Sequence, residues 1–449
     1  MTIRFPDPNS RSAALFERAK RVFPGGSTRG QTYMRPYMIY AASAKGCRIT
    51  DVDGVERLDF INNFTTQLHG HSHPAIVAAL QAQSAKGTGF NFATEAEIEL
   101  AELIQPRAKS FERIRFCNTG TEAVMHAIKA ARGLTGRTKI AKCEGVYHGA
   151  YDYAEISLDP DPQAWGRDEP ASVGFTKGAA ESIQGDVVMV PFNDVATTRR
   201  VLEKHKGQLA AFVLDAVPSR CGGTPVTPAY AALVRNYTKN DGALMILDEV
   251  VTFRLGLGGA QTLYGLSPDI TTLGKIIGGG LAIGALAGTV DAMAAFDQSQ
   301  GKALVPQSGT FTANPLTMAA GIASMKLVTE ESLARLNALG DKARRAVRDA
   351  FRTAGVTAQV LGEGSLIVLT FAKEPPVTYR DVYLANAAGG AQAMEELWKR
   401  LLNHGVFWST TRLGCLSTPM GEGEIDQLGE AMLASLRDMK AAGLERLFP

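Results

Sequence analysis

The sequence predicts an α/β protein with a large, doubly wound, mostly parallel sheet domain and a smaller α+β domain. Two observations predict the large domain. The apolar segments in the middle of the chain are short and almost continuous, as in strands buried on both faces, and helical segments separate them. The small domain is predicted because the C-terminal part mixes long helical segments with a strand segment.

The predicted elements can be followed along the chain. A helix over Ala13–Phe23 ends at Pro24-Gly25-Gly26, and short strands follow around Met38–Tyr40 and Cys47–Asp51. Further helices are predicted at Pro74–Ala85, Glu95–Ile104, Thr121–Leu134, Met318–Val328, Leu333–Ala354, Ala391–Asn403 and Glu424–Ala442. Further strands are predicted at Arg113–Cys117, Lys139–Lys142, Asp186–Val190, Ala210–Val217, Leu244–Leu247 and Ser365–Phe371.

Composition and charge exclude several classes of protein. With 45% hydrophobic and 20% charged residues among 449, the chain carries enough apolar surface to fold, which excludes a disordered chain. The net charge of +2 predicts neither nucleic acid nor a membrane surface as a partner. The five cysteines form no C-x-x-C pair, so neither a disulfide framework nor a zinc module is predicted, and a reducing cytoplasm fits best. We expect neither a signal peptide nor a membrane span, because the N-terminal residues carry prolines and charges and no long uncharged apolar run occurs.

Chemistry in such a sheet is expected just after the strands, because ligands bind beyond their carboxyl ends. The segment Asn118-Thr119-Gly120-Thr121-Glu122-Ala123 follows the strand Arg113–Cys117 and opens a helix, whose free N–H groups and positive dipole end suit a phosphate. The same residues fit an ordinary N-cap box, and the segment taken alone favours that interpretation.

Asp248 and Lys275 supply two groups that belong to one chemistry. A lysine in an apolar, glycine-flanked segment such as Gly274–Gly280 loses its proton more easily than one in water, and it can form an imine with an aldehyde. An acidic residue at a strand end can keep a pyridine nitrogen protonated, and a pyridoxal phosphate (PLP) site needs these two groups. Taken singly, a surface lysine and a helix-capping aspartate remain the alternatives.

Three further segments carry side chains of interest. Tyr147, in Tyr147-His148-Gly149, could stack on a planar ring, with a core tyrosine as the alternative. The polar segment Ser308–Pro315 could offer hydroxyls to a phosphate or simply form a turn. His69, His71 and His73 alternate and could share one face of a strand, but the adjoining glycine and proline favour a turn, so no metal site is predicted.

Taken together, these segments resemble the class III aminotransferases, which are PLP enzymes of fold type I. The resemblance spans roughly residues 15–440, and the branch looks like glutamate semialdehyde aminomutases and β-amino-acid (β-phenylalanine-type) aminotransferases. It implies an N-terminal segment (1–62) that packs with the small domain, a large PLP-binding domain (63–325) and a C-terminal small α+β domain (326–449). The matching stretches are Phe23-Pro24-Gly25-Gly26, Gly70-His71-Ser72-His73-Pro74, Asn118 to Ala123, Tyr147-His148-Gly149, Asp248-Glu249-Val250, Gly274 to Gly280 and Ser308 to Pro315.

The resemblance implies a role for each residue at the cofactor. Lys275 would be the Schiff-base lysine and later the acid and base of proton transfer, and Asp248 would pair with the pyridine nitrogen. Tyr147 and Val250 would pack on the two faces of the ring. The remaining cofactor-binding residues would be Thr119, Gly120 and Thr121 at the phosphate, together with His148.

The resemblance also implies substrate and partner contacts. Thr310 would reach the phosphate of the neighbouring subunit in a homodimer with shared active sites. Arg29 would bind a substrate carboxylate through the two-pronged geometry of its guanidinium group, and Arg412 is a candidate second carboxylate binder, with a surface arginine as the alternative. The favoured activity is transfer of an amino group from an amino acid, β-amino acid or amine to a 2-oxo acid such as pyruvate or 2-oxoglutarate. A 2,1-aminomutase and a PLP-binding protein without turnover are the alternatives.

Two departures from the family pattern bear on this choice. Members usually carry Glu-Pro, often followed by x-Gln, where this chain has Asp215-Ala216-Val217-Pro218. Proline has no N–H to donate to the cofactor hydroxyl, so that contact is in doubt. The loop Trp408–Leu413 lacks the acidic gate residue expected of the aminomutase, which favours transfer between two substrates.

Overall fold

The protein is described here from a computed structural model, which covers residues 4–299 and 301–449. Residues 1–3 of the predicted N-terminal segment and residue 300 of the predicted large domain lie outside the described residues. The strands are β1 (Ala41–Lys45), β2 (Arg48–Asp51), β3 (Glu56–Asp59), β4 (Arg113–Cys117), β5 (Lys139–Cys143), β6 (Val187–Val190), β7 (Leu209–Leu214), β8 (Leu244–Asp248), β9 (Ile270–Gly274), β10 (Gly284–Gly288), β11 (Gln359–Leu361), β12 (Leu366–Thr370), β13 (Val406–Phe407) and β14 (Leu413–Cys415). The helices are α1 (Arg11–Ala19), α2 (Asn62–Thr65), α3 (Pro74–Ser84), α4 (Glu95–Ile104), α5 (Gly120–Thr135), α6 (Asp152–Glu155), α7 (Glu181–Gly185), α8 (Val195–Lys204), α9 (Pro228–Asp241), α10 (Gly259–Leu263), α11 (Val290–Met293), α12 (Pro315–Leu327), α13 (Glu330–Ala354), α14 (Tyr379–Ala385), α15 (Ala391–Asn403) and α16 (Glu422–Ala441).

A seven-stranded sheet forms the centre of the larger compact unit, which comprises residues 74–299, 301–335 and 376–383. Its strand order is β4-β10-β9-β8-β7-β5-β6, and β10 runs antiparallel to both of its neighbours. The other pairings, from β9 across to β6, are parallel. The predicted mostly parallel α/β fold is therefore confirmed. β7 and β9 are buried along their whole length, which explains why such strands lack a polar alternation.

Helix α5 lies against this sheet through small side chains. Its buried face is rich in alanine, and these residues join the core formed by β5, β7 and β8. Alanine at the contact lets the helix backbone come close to the strands. Thr119 caps the N-terminus of α5, and Gly136 ends the helix in a left-handed conformation at φ +68°. The packing thus fixes the N-terminus of α5 at the carboxyl end of β4.

Some predicted elements differ from those observed. The prediction of a strand at Met38–Tyr40 is wrong: the first strand begins at Ala41, where pairing with β2 starts, and Met38 and Ile39 line a cavity. The predicted strand Ala210–Val217 ends at Leu214, where the Asp215 carboxylate accepts a hydrogen bond from the Val217 amide and turns the chain. The first helix ends at Ala19 rather than Phe23.

The second compact unit comprises residues 4–73, 336–375 and 384–449. It contains two sheets, with the orders β1-β2-β3-β13 and β11-β12-β14. The parallel pairing of β13 with β3 joins the C-terminal part of the chain to its N-terminal part. The three predicted domains stay a prediction, because compactness does not test whether each segment folds as a domain. Among the described helices, none has the length and apolar character needed to cross a membrane.

Candidate active site

Asp248, the last residue of β8, is a buried carboxylate with three hydrogen-bond partners. Its Oδ2 lies 2.8 Å from Nδ1 of His148, and its Oδ1 accepts from the Thr272 hydroxyl at 3.0 Å and the Val250 amide at 3.1 Å. Burial alone would raise the pKa of Asp248, but the interactions with these partners outweigh burial and lower the pKa. Asp248 is therefore held as an anion.

His148 orients Asp248 without adding a charge. Burial lowers the pKa of His148, although Asp248 opposes the shift. Because an ionised carboxylate can only accept a hydrogen bond, the proton of the neutral ring sits on Nδ1 and is donated to Asp248. The other nitrogen, Nε2, is buried and has no hydrogen-bond partner within the described part of the chain.

Lys275 follows β9 directly and lies at the same edge of the sheet. Asp248 pairs with Thr272 across the parallel strands β8 and β9, so the lysine emerges one strand away from the carboxylate. Lys275 adopts a left-handed backbone conformation at φ +49°. Residues other than glycine are uncommon in this region and, where they occur, cluster at functional sites.

Two glycines let the N-terminus of α5 lie close against these strand ends. A Cβ added to Gly120 would lie 2.9 Å from the Val250 methyl groups, and a Cβ added to Gly274 would lie 3.3 Å from one of them. A side chain at either glycine would displace Val250. Glycine at these positions therefore allows the helix N-terminus, Val250 and the start of the lysine segment to meet at one place.

The predicted phosphate segment is also a helix cap. The Thr119 hydroxyl accepts a hydrogen bond from the Glu122 amide at 3.0 Å, as in the N-cap alternative. The Thr121 hydroxyl accepts from the Ala150 amide at 3.1 Å and interacts with the Tyr147 phenol. Tyr147 is 42% exposed, so it can pack against a ligand. Because the observed hydrogen bonds fit an ordinary helix cap, phosphate binding at this helix N-terminus stays a prediction.

Asp215 places a second carboxyl group near Lys275 and Asp248. Burial, and then the charge of Asp248, raise the pKa of Asp215 to about 7, while Lys275 opposes the shift. The Asp215 carboxylate is turned toward its own loop, where it accepts from the Val217 amide at 2.9 Å. This residue was noted in the sequence as a departure from the family pattern and not as a site residue.

Thr310 is exposed and lies in a groove formed by the segments 88–94 and 310–315. The preceding residue approaches the start of the phosphate segment, since a Cβ on Gly309 would lie 3.3 Å from Nδ2 of Asn118. Phe90, Phe92 and Phe311 are exposed in the same groove, at 50%, 88% and 69%.

Arg29 lies in the second compact unit, at a cavity of about 210 Å³. Its Nη2 donates to Oδ1 of Asn63 at 3.0 Å. The cavity lining is mostly apolar and aromatic, and includes Met34, Met38, Ile39, Phe64, Phe407 and Trp408. Asn63 belongs to α2, a single left-handed turn in which Asn62, Asn63, Phe64 and Thr65 all have positive φ. Left-handed turns of residues other than glycine are costly, and this one directs Asn63 toward Arg29.

His71 lines the same cavity as Arg29, whereas Arg412 does not. Arg412 has a positive φ of 75° at the start of β14, and it is not among the described residues that line the cavity. His71 pairs with Asp59 through Nε2 and Oδ2 at 2.8 Å. Gly70 has φ +71°, and a Cβ there would lie 2.5 Å from the Gly46 carbonyl oxygen, so the segment is a tight turn. In residues 4–299 and 301–449, no group of three or more His, Cys, Asp or Glu could hold a metal ion.

Comparison with known proteins settles the family. The sequence model for aminotransferase class-III matches residues 30–416. The chain belongs to the class-III aminotransferases. It is 35% identical to glutamate-1-semialdehyde 2,1-aminomutase of Methanocella arvoryzae over 437 residues, covering 96% of this chain and 99% of that protein. An omega-transaminase from Sphaerobacter thermophilus superimposes with a TM-score of 0.93 at 42% identity, covering 97% and 99% of the two chains. A β-phenylalanine aminotransferase from Variovorax paradoxus gives 0.85 at 31% identity, covering 96% and 94%.

This class-III aminotransferase is a PLP-dependent enzyme, and the residues at the sheet edge fit that cofactor. An anionic, buried Asp248 suits a protonated ring nitrogen, and Lys275 provides an amine one strand away. The close approach of Gly120 to Val250 brings the N-terminus of α5, with its phosphate-binding potential, to the same place. The individual residue roles stay predictions.

Several residues, in both compact units, escaped the sequence analysis. The Asn62-Asn63 pair carried a usable signal, because asparagine is the residue other than glycine that most readily adopts a left-handed conformation. Glu144, Tyr379 and Arg380, which surround the loop with Tyr147, carried none, because their pairing joins segments far apart in the sequence.

Proposed function

We propose that this class-III enzyme is an aminotransferase that moves an amino group from a carboxylate-bearing amino acid or β-amino acid to a 2-oxo acid such as pyruvate or 2-oxoglutarate. The observation that carries the chemistry is a buried, anionic Asp248 beside Lys275 at the ends of adjacent strands. The 42% identity to an omega-transaminase supports transfer, and simple amines are a further candidate class of donor.

The chain's own residues divide the work of the reaction. When bound, PLP supplies an aldehyde that links to amines and a ring that withdraws electrons from the neighbouring carbon. Asp248 would hold a proton on the ring nitrogen, and Lys275 Nζ would accept the proton from the substrate carbon. Tyr147 and Val250 would pack against the ring. The N-terminus of α5 would hold the phosphate through its N–H groups and dipole.

Arg29 provides the substrate contact in this proposal. A guanidinium group binds a carboxylate through two parallel hydrogen bonds, and the mostly apolar cavity beside Arg29 suits an apolar or aromatic substrate side chain. Asn63 holds one Arg29 nitrogen at 3.0 Å and so limits the orientations of the guanidinium. Arg412 remains the candidate for a second carboxylate.

We also propose a homodimer with shared active sites. Phe90, Phe92 and Phe311 form an exposed apolar patch of the kind that protein partners cover. Thr310 lies beside this patch and would then face the phosphate of the second copy. All five cysteines are buried and none forms a disulfide, which supports a reducing, cytoplasmic location.

An aminomutase is the second candidate, because the aminomutase of Methanocella arvoryzae shares 35% of its residues with almost this entire chain. One experiment separates the two. With an amino donor and no acceptor, a transferase stops after one half-reaction per active site, whereas a mutase given glutamate 1-semialdehyde turns over continuously. Continuous turnover without any acceptor would overturn the transferase assignment.

The assignment of Lys275 has its own test. Borohydride reduction of the holoenzyme, followed by peptide mapping, should find the cofactor attached to Lys275, and Lys275→Ala should abolish the visible absorbance of the bound cofactor. A label on another lysine, or an unchanged spectrum in the variant, would remove Lys275 from its role. A protein that is labelled at Lys275 but reacts with no amine would instead be a PLP-binding protein without turnover.

A further inference from the structure

We propose that Tyr379 and Arg380 are positioning residues that hold the loop bearing Tyr147 and His148 in place. This loop runs from Glu144 to Ala150 after β5, and the proposal rests on the cofactor roles of Tyr147 and His148 given above. Three sets of contacts carry it: an ion pair at the start of the loop, an aromatic ring packed on its first glycine, and hydrogen bonds at its far end.

Arg380 clamps Glu144, the first residue of the loop. Its Nε lies 2.7 Å from Oε2 of Glu144 and its Nη2 lies 2.9 Å from Oε1, so the pair is bidentate. The Glu144 side chain is 3% exposed. The same guanidinium donates to the carbonyl oxygen of Gly166 at 2.9 Å and stacks 4.7 Å from the ring of Trp165. A buried, bidentate ion pair of this kind fixes the orientation of the Glu144 carboxylate as well as its distance from Arg380.

Tyr379 packs directly on Gly145. Gly145 has φ +73°, and a Cβ there would lie 2.1 Å from Cγ of Tyr379, so only glycine allows the ring to come so close. The Tyr379 hydroxyl donates to Oδ1 of Asp159 at 2.6 Å. Arg220 joins the two, donating to the Gly145 carbonyl oxygen at 2.8 Å and to Asp159 at 3.1 Å. Residue 145 is thereby held through its carbonyl oxygen and along the face that the ring covers.

Thr121 holds the far end of the loop. Its hydroxyl accepts from the Ala150 amide at 3.1 Å, and a Cβ on Gly149 would lie 2.6 Å from that hydroxyl oxygen. With both ends fixed, the two residues in the middle have little freedom. The hydrogen bond of His148 to Asp248 and the exposed face of Tyr147 therefore depend on the anchors at Glu144 and Gly145.

The course of the chain supports a dedicated role for this anchor. Residues 376–383 belong to the compact unit that contains the loop, whereas 336–375 and 384–449 belong to the other unit. The start of this short segment is fixed as well. The Thr224 hydroxyl donates to the Pro376 carbonyl oxygen at 2.7 Å, and Gly222, at φ +84°, leaves room for the Pro376 ring. The segment thus presents Tyr379 and Arg380 to the loop from a fixed starting point.

The test compares Arg380→Ala with a matched control, Arg137→Ala. The Arg137 side chain is 26% exposed and pairs with an Asp241 side chain that is 5% exposed, close to the 22% and 3% of Arg380 and Glu144. Arg137 also binds a backbone carbonyl oxygen, that of Leu209, but at the start of β7, away from the carboxyl end of the strands. Both variants remove an ion pair of similar burial, so their effects on thermal stability should be comparable.

Two readouts separate positioning from simple stabilisation. In the apoprotein, hydrogen exchange of the amides in 145–150 should accelerate in Arg380→Ala and stay at the wild-type rate in Arg137→Ala. In titrations with PLP, Arg380→Ala should raise the Kd at least about tenfold and shift the absorbance band of the bound cofactor, while Arg137→Ala changes neither. Tyr379→Phe, which loses the bond to Asp159 but keeps the ring on Gly145, should give a smaller change in the same direction.

A conservative variant keeps the test decisive if Arg380→Ala does not fold. Arg380→Lys retains the charge but loses the two-pronged geometry, so it should show the same exchange and affinity changes at an intermediate size. Equal changes in the Arg380 and Arg137 variants, or wild-type exchange and affinity in Arg380→Lys, would overturn the proposal. The exchange measurement needs neither cofactor nor turnover, so its result is independent of whether Lys275 is labelled in the test of the proposed function.

Discussion

Replacing Asp248 with asparagine removes the negative charge at the end of β8 while keeping the size of the side chain. The wild-type carboxylate accepts from His148 Nδ1 at 2.8 Å, from the Thr272 hydroxyl at 3.0 Å and from the Val250 amide at 3.1 Å. An asparagine side chain must direct its NH₂ group either toward His148 or toward the Thr272 hydroxyl and Val250 amide. The Val250 amide is a fixed donor, so the NH₂ group will face His148, which must then move its own proton to Nε2.

The structure sets the size of two separate effects. Nε2 of His148 is buried and has no partner in the described residues, so a proton there leaves an unmet donor, and we expect a loss of about 1–3 kcal/mol in the free energy of unfolding. Without the charge, the ring nitrogen of the cofactor no longer holds its proton. Losing one transition-state partner of this kind costs on the order of 3 kcal/mol, so the half-reaction should slow at least ~10²-fold.

Stopped-flow absorbance of the bound cofactor after mixing with an amino donor measures the rate, and urea unfolding of the apoprotein measures stability. Asp241→Asn is the control, since the Asp241 side chain is 5% exposed against 9% for Asp248 and pairs with Arg137 at 3.1 Å. The control should lose stability and keep the rate of the half-reaction. If Asp248→Asn reacts within about tenfold of the wild-type rate, the assigned role of the carboxylate is wrong.

Three further predictions follow from the charges and surfaces described above. Arg29→Ala should raise KM for carboxylated donors and hardly change it for simple amines, because only the former use the guanidinium; an equal rise for both classes would contradict this role. The pKa of Asp215 is raised from 3.8 to about 7 in the folded protein. Between about pH 4 and 7 the folded state therefore keeps a proton that the unfolded state has released. The free energy of unfolding falls as the pH rises through this window. Asp215→Asn removes this loss. The difference in unfolding free energy between the variant and wild type, measured in urea on the apoproteins, should increase from pH 4 to 7 and then level off. A difference that does not vary with pH would show that Asp215 ionises normally. Phe92→Glu should convert a dimer into monomers in sedimentation velocity, and an unchanged sedimentation coefficient would place the subunit contact elsewhere.

Local signals made several elements predictable from the sequence. The helix Glu95–Ile104 begins after Thr94, whose capping box with Glu97 is present in the structure, and its predicted bounds are those observed. The strand Arg113–Cys117 was also predicted with its observed bounds, because an apolar run and the capped start of α5 mark its end. Thr119, Tyr147, Asp248 and Lys275 were predicted from their positions after strands, since parallel strands bring their carboxyl ends to one edge, whereas Arg29 and Thr310 came from the family resemblance.

What the sequence concealed depends on contacts between distant segments. β9 and β10 are not among the predicted strands. Thr271 and Thr272 favour a strand, but β9 ends at Gly274, where the glycine-rich segment begins, and β10 consists of glycine, alanine and a single leucine, which give little strand signal; the pairing partners supply the order. The anchor at Tyr379–Arg380 is likewise set by packing, whereas the left-handed turn at Asn62–Thr65 had a local signal in its two asparagines. No local pattern predicts that residue 380 will pair with residue 144.

The two carboxyl groups near Lys275 show why this arrangement suits a PLP enzyme. Both are removed from water, yet the pKa of Asp248 is lowered, because three hydrogen-bond partners stabilise its anion, while burial and the charge of Asp248 raise the pKa of Asp215 to about 7. Environments that give two similar groups different pKa values are a general means by which enzymes assign different tasks to them. In the proposed role, one full negative charge at Asp248 would match one protonated ring nitrogen. A second permanent charge at Asp215 would favour a protonated Lys275, and a protonated lysine cannot take a proton from the substrate. The departure at Asp215-Ala216-Val217-Pro218 is therefore compatible with a working base at position 275, provided that Asp215 stays largely protonated at the pH of the reaction.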